Sequence, residues 1–227
     1  MQPPEPDLQP GTNKIDMGEW QLSQANNEML CEICHIGIRA AATSLSTILR
    51  QTVYVSAPSK KIFRWSDMRD AYGENALAVL VRYVDGLSGS NVLLLKERDV
   101  KIITDIMMGG TGAVSDPIEL NEIDLSAIGE AMNQIVGGTA TLLSFMLQRK
   151  IDIATPKIMP TAYNNDVDTE DAWHLFSDND LIVAFQMKIG DILESEIVQV
   201  LQKSSALELI ASLKDVAIQN DSQPTTE

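Results

Sequence analysis

The sequence has little positive charge and no long apolar run. It contains 17 lysine and arginine residues against 32 aspartate and glutamate residues, so its net charge is −15. A surface this acidic cannot release phosphate counterions or attach to an anionic membrane, which excludes nucleic acid and lipid surfaces as partners. Because no apolar stretch reaches about 18 residues, the sequence predicts no membrane insertion.

Cysteine is scarce, and a secretory signal is lacking. The first 13 residues are polar and proline-containing, so we expect a cytoplasmic protein. The two cysteines, Cys31 and Cys34, precede His35 in a Cys-x-x-Cys-His pattern that also occurs at haem attachment sites. These residues lie in a predicted helix, so packing of the thiols in the core is favoured over haem or redox chemistry.

The remaining composition is typical of one folded unit with polar ends. Apolar residues make up 44% of the 227 positions, enough for a substantial core. Residues 1–16 contain four prolines and are predicted to be disordered. Residues 217–227 are predicted to form a disordered tail or linker, which leaves 17–216 as the domain.

The chain contains an internal repeat with a spacing of 98 residues. Small and apolar residues recur at this spacing, which indicates a duplicated supersecondary unit with halves at about 20–112 and 118–215. Four polar or proline positions of the second copy have counterparts in the first: Ser126, Glu130, Asn133 and Pro156 correspond to Glu28, Glu32, His35 and Pro58. The glutamates and the prolines are identical, and the other two pairs differ.

Each half has the same predicted order: a long helix, a strand that ends at proline, a pair of strands and a further helix. Together the halves predict an α/β (α+β) fold with pseudo-twofold symmetry, in which two long helices and flanking helices pack on one mainly antiparallel sheet of about six strands. The predicted helices span 24–50, 99–108, 121–148 and 206–213, and the predicted strands span 52–57, 76–84, 91–96, 150–155, 181–188 and 193–201.

The second long helix is predicted to have two different faces. Its apolar residues recur at spacings of three and four, which indicates a stripe that faces the core. Ser126, Glu130, Asn133 and Gly137 fall on a separate stripe that spans about 60° of the helical wheel. Gly137 costs a helix about 1 kcal/mol relative to alanine, which suggests that something approaches the backbone there. On spacing alone, an ordinary solvated face is the alternative.

This pattern resembles the motif of the CheC/CheX/FliY family of chemotaxis phosphatases. In that motif Asp or Ser is followed by Glu, Asn and Pro at the spacing of Ser126, Glu130, Asn133 and Pro156, and the resemblance covers about residues 20–215. It implies a CheC-like fold and hydrolysis of the aspartyl phosphate of the response regulator CheY. In that reaction Asn133 would orient the attacking water and Glu130 would anchor the regulator, with Ser126 and Gly137 at the contact.

The resemblance also implies that the chain has no cofactor or metal of its own, because the phosphorylated regulator supplies Mg²⁺. Transfer of a labile phosphoryl group to water needs positioning rather than a protein nucleophile. A neutral carboxamide is suited to that task, since it both donates and accepts hydrogen bonds.

The first copy departs from the motif. Glu28 stands in place of Asp or Ser, His35 in place of Asn, and Arg39 at the position of Gly137. Imidazole can orient water, so Glu32 and His35 form a second, degenerate candidate site. A structural or surface role for His35 is the alternative, and Arg39 is expected to cover the face that Gly137 leaves open.

A glycine-rich segment with Gly109, Gly110 and Gly112 follows the helix predicted at 99–108. One interpretation is a helix stop and a turn. The other rests on a resemblance to the rotor-switch protein FliM, whose similar loop contacts FliG. That resemblance supplies the alternative function, a non-catalytic flagellar switch scaffold that binds FliG and CheY. Sequestration of CheY without hydrolysis is a third option.

The partners implied are therefore phosphorylated CheY and, in a switch complex, FliG, FliM or FliN. A free CheC-type protein would instead have CheD as its partner. A protein of the motor-switch type would lie at the cytoplasmic face of the flagellar basal body.

Overall fold

The computed structural model describes residues 22–58, 67–68, 72, 75–161, 176–178 and 180–221. The predicted disorder at 1–16 lies outside these residues. Four helices and seven strands have both ends within them. The helices are α1 (Gln24–Leu49), α2 (Glu97–Met107), α3 (Glu122–Met146) and α4 (Lys203–Asp221), and the strands are β1 (Val53–Val55), β2 (Ala76–Asp85), β3 (Ser90–Lys96), β4 (Asp152–Ile153), β5 (Lys157–Pro160), β6 (Leu181–Ile189) and β7 (Leu193–Leu201).

The strands form one antiparallel sheet with the order β1-β6-β7-β3-β2-β4, and β5 also pairs with β2. The strand order is symmetric. In the repeat, β1 corresponds to β4 and β5, β6 corresponds to β2, and β7 corresponds to β3, so exchanging the two halves gives the same order in reverse. The first strand of each half crosses to the other half: β1 pairs with β6, and β4 and β5 pair with β2. The predicted single sheet with pseudo-twofold symmetry is confirmed.

Both faces of the sheet are covered, which explains the nearly continuous apolar runs in β2 and β6. The larger core lies between the sheet and the helices, with Phe185 and Leu77 fully buried in it. A smaller core on the opposite face includes Met68, Tyr72 and Phe176. No helix among the described residues has the length and apolar character needed to cross a bilayer.

The repeat predicted from the sequence is present in the local geometry of both long helices. The N-caps Ser23 and Asn121 are 98 positions apart, and each side chain accepts a backbone N–H of its helix. Arg50 and Gln148, also 98 apart, both have a positive φ, of 52° and 49°, just beyond the helix ends. Equivalent residues thus begin and end the two helices in the same way.

A pair of serines then fixes the chain that follows each helix. Ser46 Oγ accepts the N–H of Val53 at 2.9 Å, and Ser144 Oγ accepts the N–H of Ile151 at 2.9 Å. Each hydroxyl donates in turn to a carbonyl one turn earlier in its helix, Ala42 or Ala140. The matched alanines and serines of the repeat therefore have matched contacts.

Three predicted boundaries were wrong. The strand predicted at 150–155 is reduced to the two residues of β4, and a second strand, β5, begins directly after Pro156. The predicted arrangement of the sheet is kept, with β4 and β5 counted as two of its seven strands. The last helix runs to Asp221, so the predicted tail at 217 begins inside α4. Its polar residues lie on a solvated helix rather than in a linker, while 222–227 lie outside the described residues.

Candidate functional site

The helix that bears the candidate residues, α3, is fixed at its N-terminus by a capping box. The Asn121 side chain accepts the N–H groups of Ile123 and Asp124 at 2.9 and 3.0 Å. The Asp124 carboxylate accepts the N–H of Asn121 at 2.9 Å. These contacts satisfy donors that a helix start otherwise leaves unpaired, so α3 begins at a defined residue.

Asp124 also attaches α3 to α2. Its buried carboxylate accepts hydrogen bonds from Lys101 Nζ at 2.6 Å and from Thr104 Oγ1 at 2.8 Å. Burial by itself would raise the pKa of Asp124, but the hydrogen bonds from Lys101, Asn121 and Thr104 outweigh it and hold the pKa below its usual range. The ionised carboxylate therefore holds α3 in place.

The predicted two faces of α3 are present. Ile128, Met132, Ile135, Leu143 and Leu147 are buried against the sheet, and Leu125 is partly buried. Ser126, Glu130, Asn133 and Gly137 are all exposed on the other side. Gln134 Nε2 donates to Glu130 Oε1 at 3.0 Å, which orients that carboxylate along the helix surface. A carboxylate and a carboxamide thus face solvent one helical turn apart.

Asn133 lies at the edge of a groove of about 490 Å³ between α3 and the chain that returns from it. Pro156, which is 23 positions later, lies in the opposite wall, so the fold brings these two motif positions to one place. Ser126 and Glu130 lie on the same helix face but outside the groove lining. The lining consists of Asn133, Val136, Gly137, Ala140, Thr141, Ser144 and the segment 150–156.

Gly137 forms the open part of the α3 wall. A Cβ atom placed on Gly137 would meet no heavy atom within 4 Å outside its own helix. The residue is therefore not required by packing inside this chain. A bare backbone at this point lets an external group come close to the helix beside Asn133.

The groove also contains a cation that the sequence pattern did not single out. Lys150 lines the groove and forms ion pairs with Asp152, which also lines it, and with Asp85 at 3.8 Å. The hydrogen bond to Asp152 raises the pKa of Lys150, so its ammonium stays charged. Its position beside the groove follows from the tight return of the chain after α3, which no local motif marks.

The first copy has a different geometry. The His35 ring stacks on the buried Phe185 of β6, with ring centroids 6.4 Å apart and planes 19° apart. Glu28 accepts a hydrogen bond from Gln24 at 2.9 Å, and Glu32 and Arg39 are exposed. The ring of His35 therefore packs against the sheet, whereas its counterpart Asn133 faces solvent.

The cysteines before His35 lie in α1. Cys34 is buried, and burial raises the pKa of its thiol to about 12. Cys31 Sγ lies 4.0 Å from Asn27 Oδ1, and Cys31 and Cys34 form no disulfide bond with each other. A protonated buried thiol is unreactive, in agreement with packing of Cys34 in the core.

The glycine-rich segment ends α2. Gly109 and Gly112 have φ values of 90° and 79°, and the N–H of Gly112 donates to Asp105 Oδ2 at 2.8 Å. A Cβ on Gly110 would fall 2.2 Å from the same carboxylate. The segment is thus a helix stop held by Asp105, with Gly109 and Gly110 exposed at the surface.

The described residues contain no group of three or more His, Cys, Asp or Glu side chains arranged to hold a metal ion.

Three comparisons with known proteins identify the family of this chain. The CheC-like family profile matches residues 123–159, the stretch from the start of α3 into β5. The flagellar motor switch phosphatase FliY of Bacillus subtilis (strain 168) is 38% identical over 194 residues, which are 85% of this chain and 50% of that protein. The chain thus spans about half the length of the curated relative that it matches.

Solved structures agree in fold. The X-ray crystal structure of Thermotoga maritima FliY matches with a TM-score of 0.73 and 33% identity, over 86% of this chain and 98% of that chain. A FliG–FliM complex from H. pylori matches with a TM-score of 0.65 and 14% identity, over 84% of this chain and 100% of that chain, which shows the fold alone. The chain therefore belongs to the CheC/CheX/FliY family of chemotaxis proteins, and its similarity to FliY extends over most of its length.

Proposed function

We propose that this chain is a phosphatase that hydrolyses the aspartyl phosphate of the response regulator CheY at the flagellar motor switch. The observation that carries the proposal is the exposed Asn133 at the edge of an open groove, with Glu130 one turn earlier and bare backbone at Gly137. The similarity to a protein named as a flagellar motor switch phosphatase supports both the reaction class and the location.

Asn133 is assigned the central task. An acyl phosphate is hydrolysed when water attacks phosphorus in line with the breaking bond, through a loose, metaphosphate-like transition state. The Asn133 carboxamide accepts a hydrogen bond from the water and donates another, which fixes the direction of attack without adding negative charge. Its exposure allows it to enter the active site of another protein.

Glu130 is assigned the anchoring of the response regulator. Its carboxylate projects from the same face of α3 and pairs with a lysine of the regulator, which fixes Asn133 relative to phosphorus. Ser126 and Gly137 extend the contact along the helix. The regulator contributes the Mg²⁺ that neutralises charge on the phosphoryl oxygens, and no residue of this chain is assigned to it.

Pro156 lies in the wall opposite Asn133, and Ser144 lines the groove on the α3 side. His35 and Glu32 are assigned no step in this reaction, because the His35 ring is stacked on Phe185. The degenerate first site is therefore proposed to be inactive.

A second candidate function rests on the glycine segment. Gly109 and Gly110 are exposed, and Gly112 is held by Asp105, so the loop is a rigid surface feature. It supports a switch-scaffold function with FliG as partner, beside FliM and FliN, with or without hydrolysis. A free CheC-type function would instead have CheD as partner.

The test is the decay of phosphorylated CheY with excess Mg²⁺, with and without this protein. Wild type is expected to accelerate the decay, and Asn133→Ala to abolish the acceleration. Because Asn133 is exposed and its side chain forms no hydrogen bond with the residues that the structure describes, its replacement should change the free energy of unfolding by less than about 0.5 kcal/mol.

Glu130→Gln serves as the second variant, and it is expected to raise KM more than it lowers kcat. Folded wild type that leaves the decay unchanged would contradict the phosphatase proposal and favour the scaffold. Loss of cooperative unfolding in Asn133→Ala would show instead that Asn133 is a structural residue.

A further inference from the structure

Two large apolar side chains are exposed on the same helix as the proposed catalytic residues. Ile123, in the first turn of α3, is 63% exposed, and Phe145, in its last turn, is 83% exposed. Burial of a phenylalanine or isoleucine side chain is favourable, so leaving both in water forgoes that stabilisation.

The internal repeat shows that the fold does not require these side chains. The position 98 residues before Ile123 is Ala25, and the position 98 residues before Phe145 is Thr47. Both counterparts are exposed on α1, which starts after an N-cap at the equivalent position and has the same serine contact as α3. Bulky apolar residues therefore occur at these two positions only in the copy that contains Glu130 and Asn133.

The two side chains lie on either side of that pair. At 100° per residue, Ile123 and Phe145 are about 40° apart around the helix, and Glu130 lies within about 60° of both. At a rise of about 1.5 Å per residue, Ile123 is about 15 Å from Asn133 along the axis and Phe145 is about 18 Å from it on the other side. Asn133 is about 80° from Ile123 and about 120° from Phe145 around the helix, with Glu130 between them. The four exposed side chains therefore occupy an arc of about 120° around α3.

These dimensions fit a single small protein domain. An interface of standard size covers about 800 Å² on each partner, which corresponds to a disc about 16 Å in radius. If such a disc is centred on the middle of α3, Ile123 and Phe145 fall near its edges along the axis, and Glu130 lies between them. Aromatic side chains are enriched at protein interfaces, and burial of apolar surface favours association.

We propose that Ile123 and Phe145 are the apolar anchors that dock the phosphorylated response regulator onto α3. This inference rests on the proposed function, because the face is continuous with Glu130 and Asn133. The partner is a receiver-sized domain with apolar surface on both sides of its phosphorylation site. Specificity for that domain then depends on the anchors, and hydrolysis depends on Asn133.

The experiment uses the regulator loaded with beryllium fluoride and Mg²⁺, a non-hydrolysable stand-in for the acyl phosphate. Its binding to the full chain is measured by titration, apart from any catalysis. The variants carry the residues of the first copy, Ile123→Ala and Phe145→Thr, singly and together. Ile218→Ala on α4 is the matched control, because Ile218 is 64% exposed on a different helix.

The double variant is expected to bind at least about tenfold more weakly than wild type, and each single variant less so. Ile218→Ala and Asn133→Ala should stay within about threefold of wild type. In turnover assays the double variant should raise KM by a similar factor and leave kcat within about twofold. Circular dichroism and thermal unfolding verify that all variants are folded.

Binding by the double variant within twofold of wild type would overturn the inference, as would an equal loss in Ile218→Ala or no binding by wild type. A dimer of this chain that Phe145→Thr dissociates, with regulator binding unchanged, would assign the face to a second copy and overturn it too. If wild type binds through these anchors but does not accelerate hydrolysis, the docking inference stands and the phosphatase proposal fails.

Discussion

Ser144 Oγ accepts the backbone N–H of Ile151 at 2.9 Å, which joins the end of α3 to the chain that forms the far wall of the candidate groove. This hydroxyl, 11 positions after Asn133, therefore contributes to the separation of the two walls, together with the pairing of β4 and β5 with β2. Ser46 forms the same bond with Val53 in the first copy, where no chemistry is proposed.

Replacement of either serine by alanine should leave a backbone N–H without its partner and lower the free energy of unfolding by about 1–3 kcal/mol. Ser144→Ala should also reduce phosphatase activity, because the wall opposite Asn133 is no longer fixed. Ser46→Ala should leave activity unchanged. Urea unfolding and CheY-phosphate decay measure the two effects, and equal losses of activity in both variants would contradict a specific role for the groove.

Gly137 and Gly138 provide a second matched pair. Alanine at either position should stabilise α3 by up to about 1 kcal/mol, since Gly137 has open space and a Cβ at Gly138 would meet Ser44 Oγ at an ordinary 3.6 Å. Only Gly137→Ala should lower activity, by at least about tenfold, because it fills the point of close approach beside Asn133.

Gly137→Arg, which copies Arg39 of the first half, should abolish that activity in a folded protein. Thermal unfolding establishes the gain in stability for the alanine variants. Full activity in Gly137→Arg would show that the bare backbone has no part in the reaction.

His35→Ala tests the first copy. Removal of a ring that stacks on Phe185 should lower the free energy of unfolding by about 0.5–1.5 kcal/mol. The rate of CheY-phosphate hydrolysis should be unchanged, after correction for the folded fraction. A fall in kcat that equals the fall in Asn133→Ala would instead make the first site catalytic.

Asp124 gives a pH-dependent prediction. Hydrogen bonds from Lys101, Asn121 and Thr104 outweigh the effect of burial and lower its pKa in the folded protein. A lowered folded pKa stabilises the fold at pH values above the unfolded pKa of about 3.9, and this stabilisation is lost as the pH falls through the folded value.

Asp124→Asn should therefore lower the free energy of unfolding by about 1.5–3 kcal/mol at pH 7, and the difference from wild type should shrink below about pH 4. Denaturant titrations at pH 3, 4, 5 and 7 measure this difference. A difference that is constant across the series would show that the carboxylate charge does not fasten α3.

The sequence predicted the parts of this fold that depend on local pattern and on the repeat. The two long helices, the exposed stripe of α3 and the single sheet all follow from spacing. The family resemblance also implied that Asn133 and Pro156 belong to one motif, and the groove has both in its lining.

The missed features depend on contacts between distant segments. The split into β4 and β5 on the two sides of Pro156 arises because both segments pair with β2, more than 60 residues earlier. The extension of α4 to Asp221 was missed because a solvated helix has the same polar composition as a tail. Lys150 was missed because only the return of the chain after α3 brings it to the groove.

The crossing of β1 and β5 into opposite halves has a consequence for synthesis of the protein. Among the residues that the structure describes, the outer edge of β2 pairs with β4 and β5, which come from the second half of the chain. An emerging first half therefore presents an unpaired, apolar strand edge, the kind of surface at which nascent chains aggregate. The ribosome must extend the chain through residue 160 before that edge can close, so the two halves reach their native sheet together and late in translation.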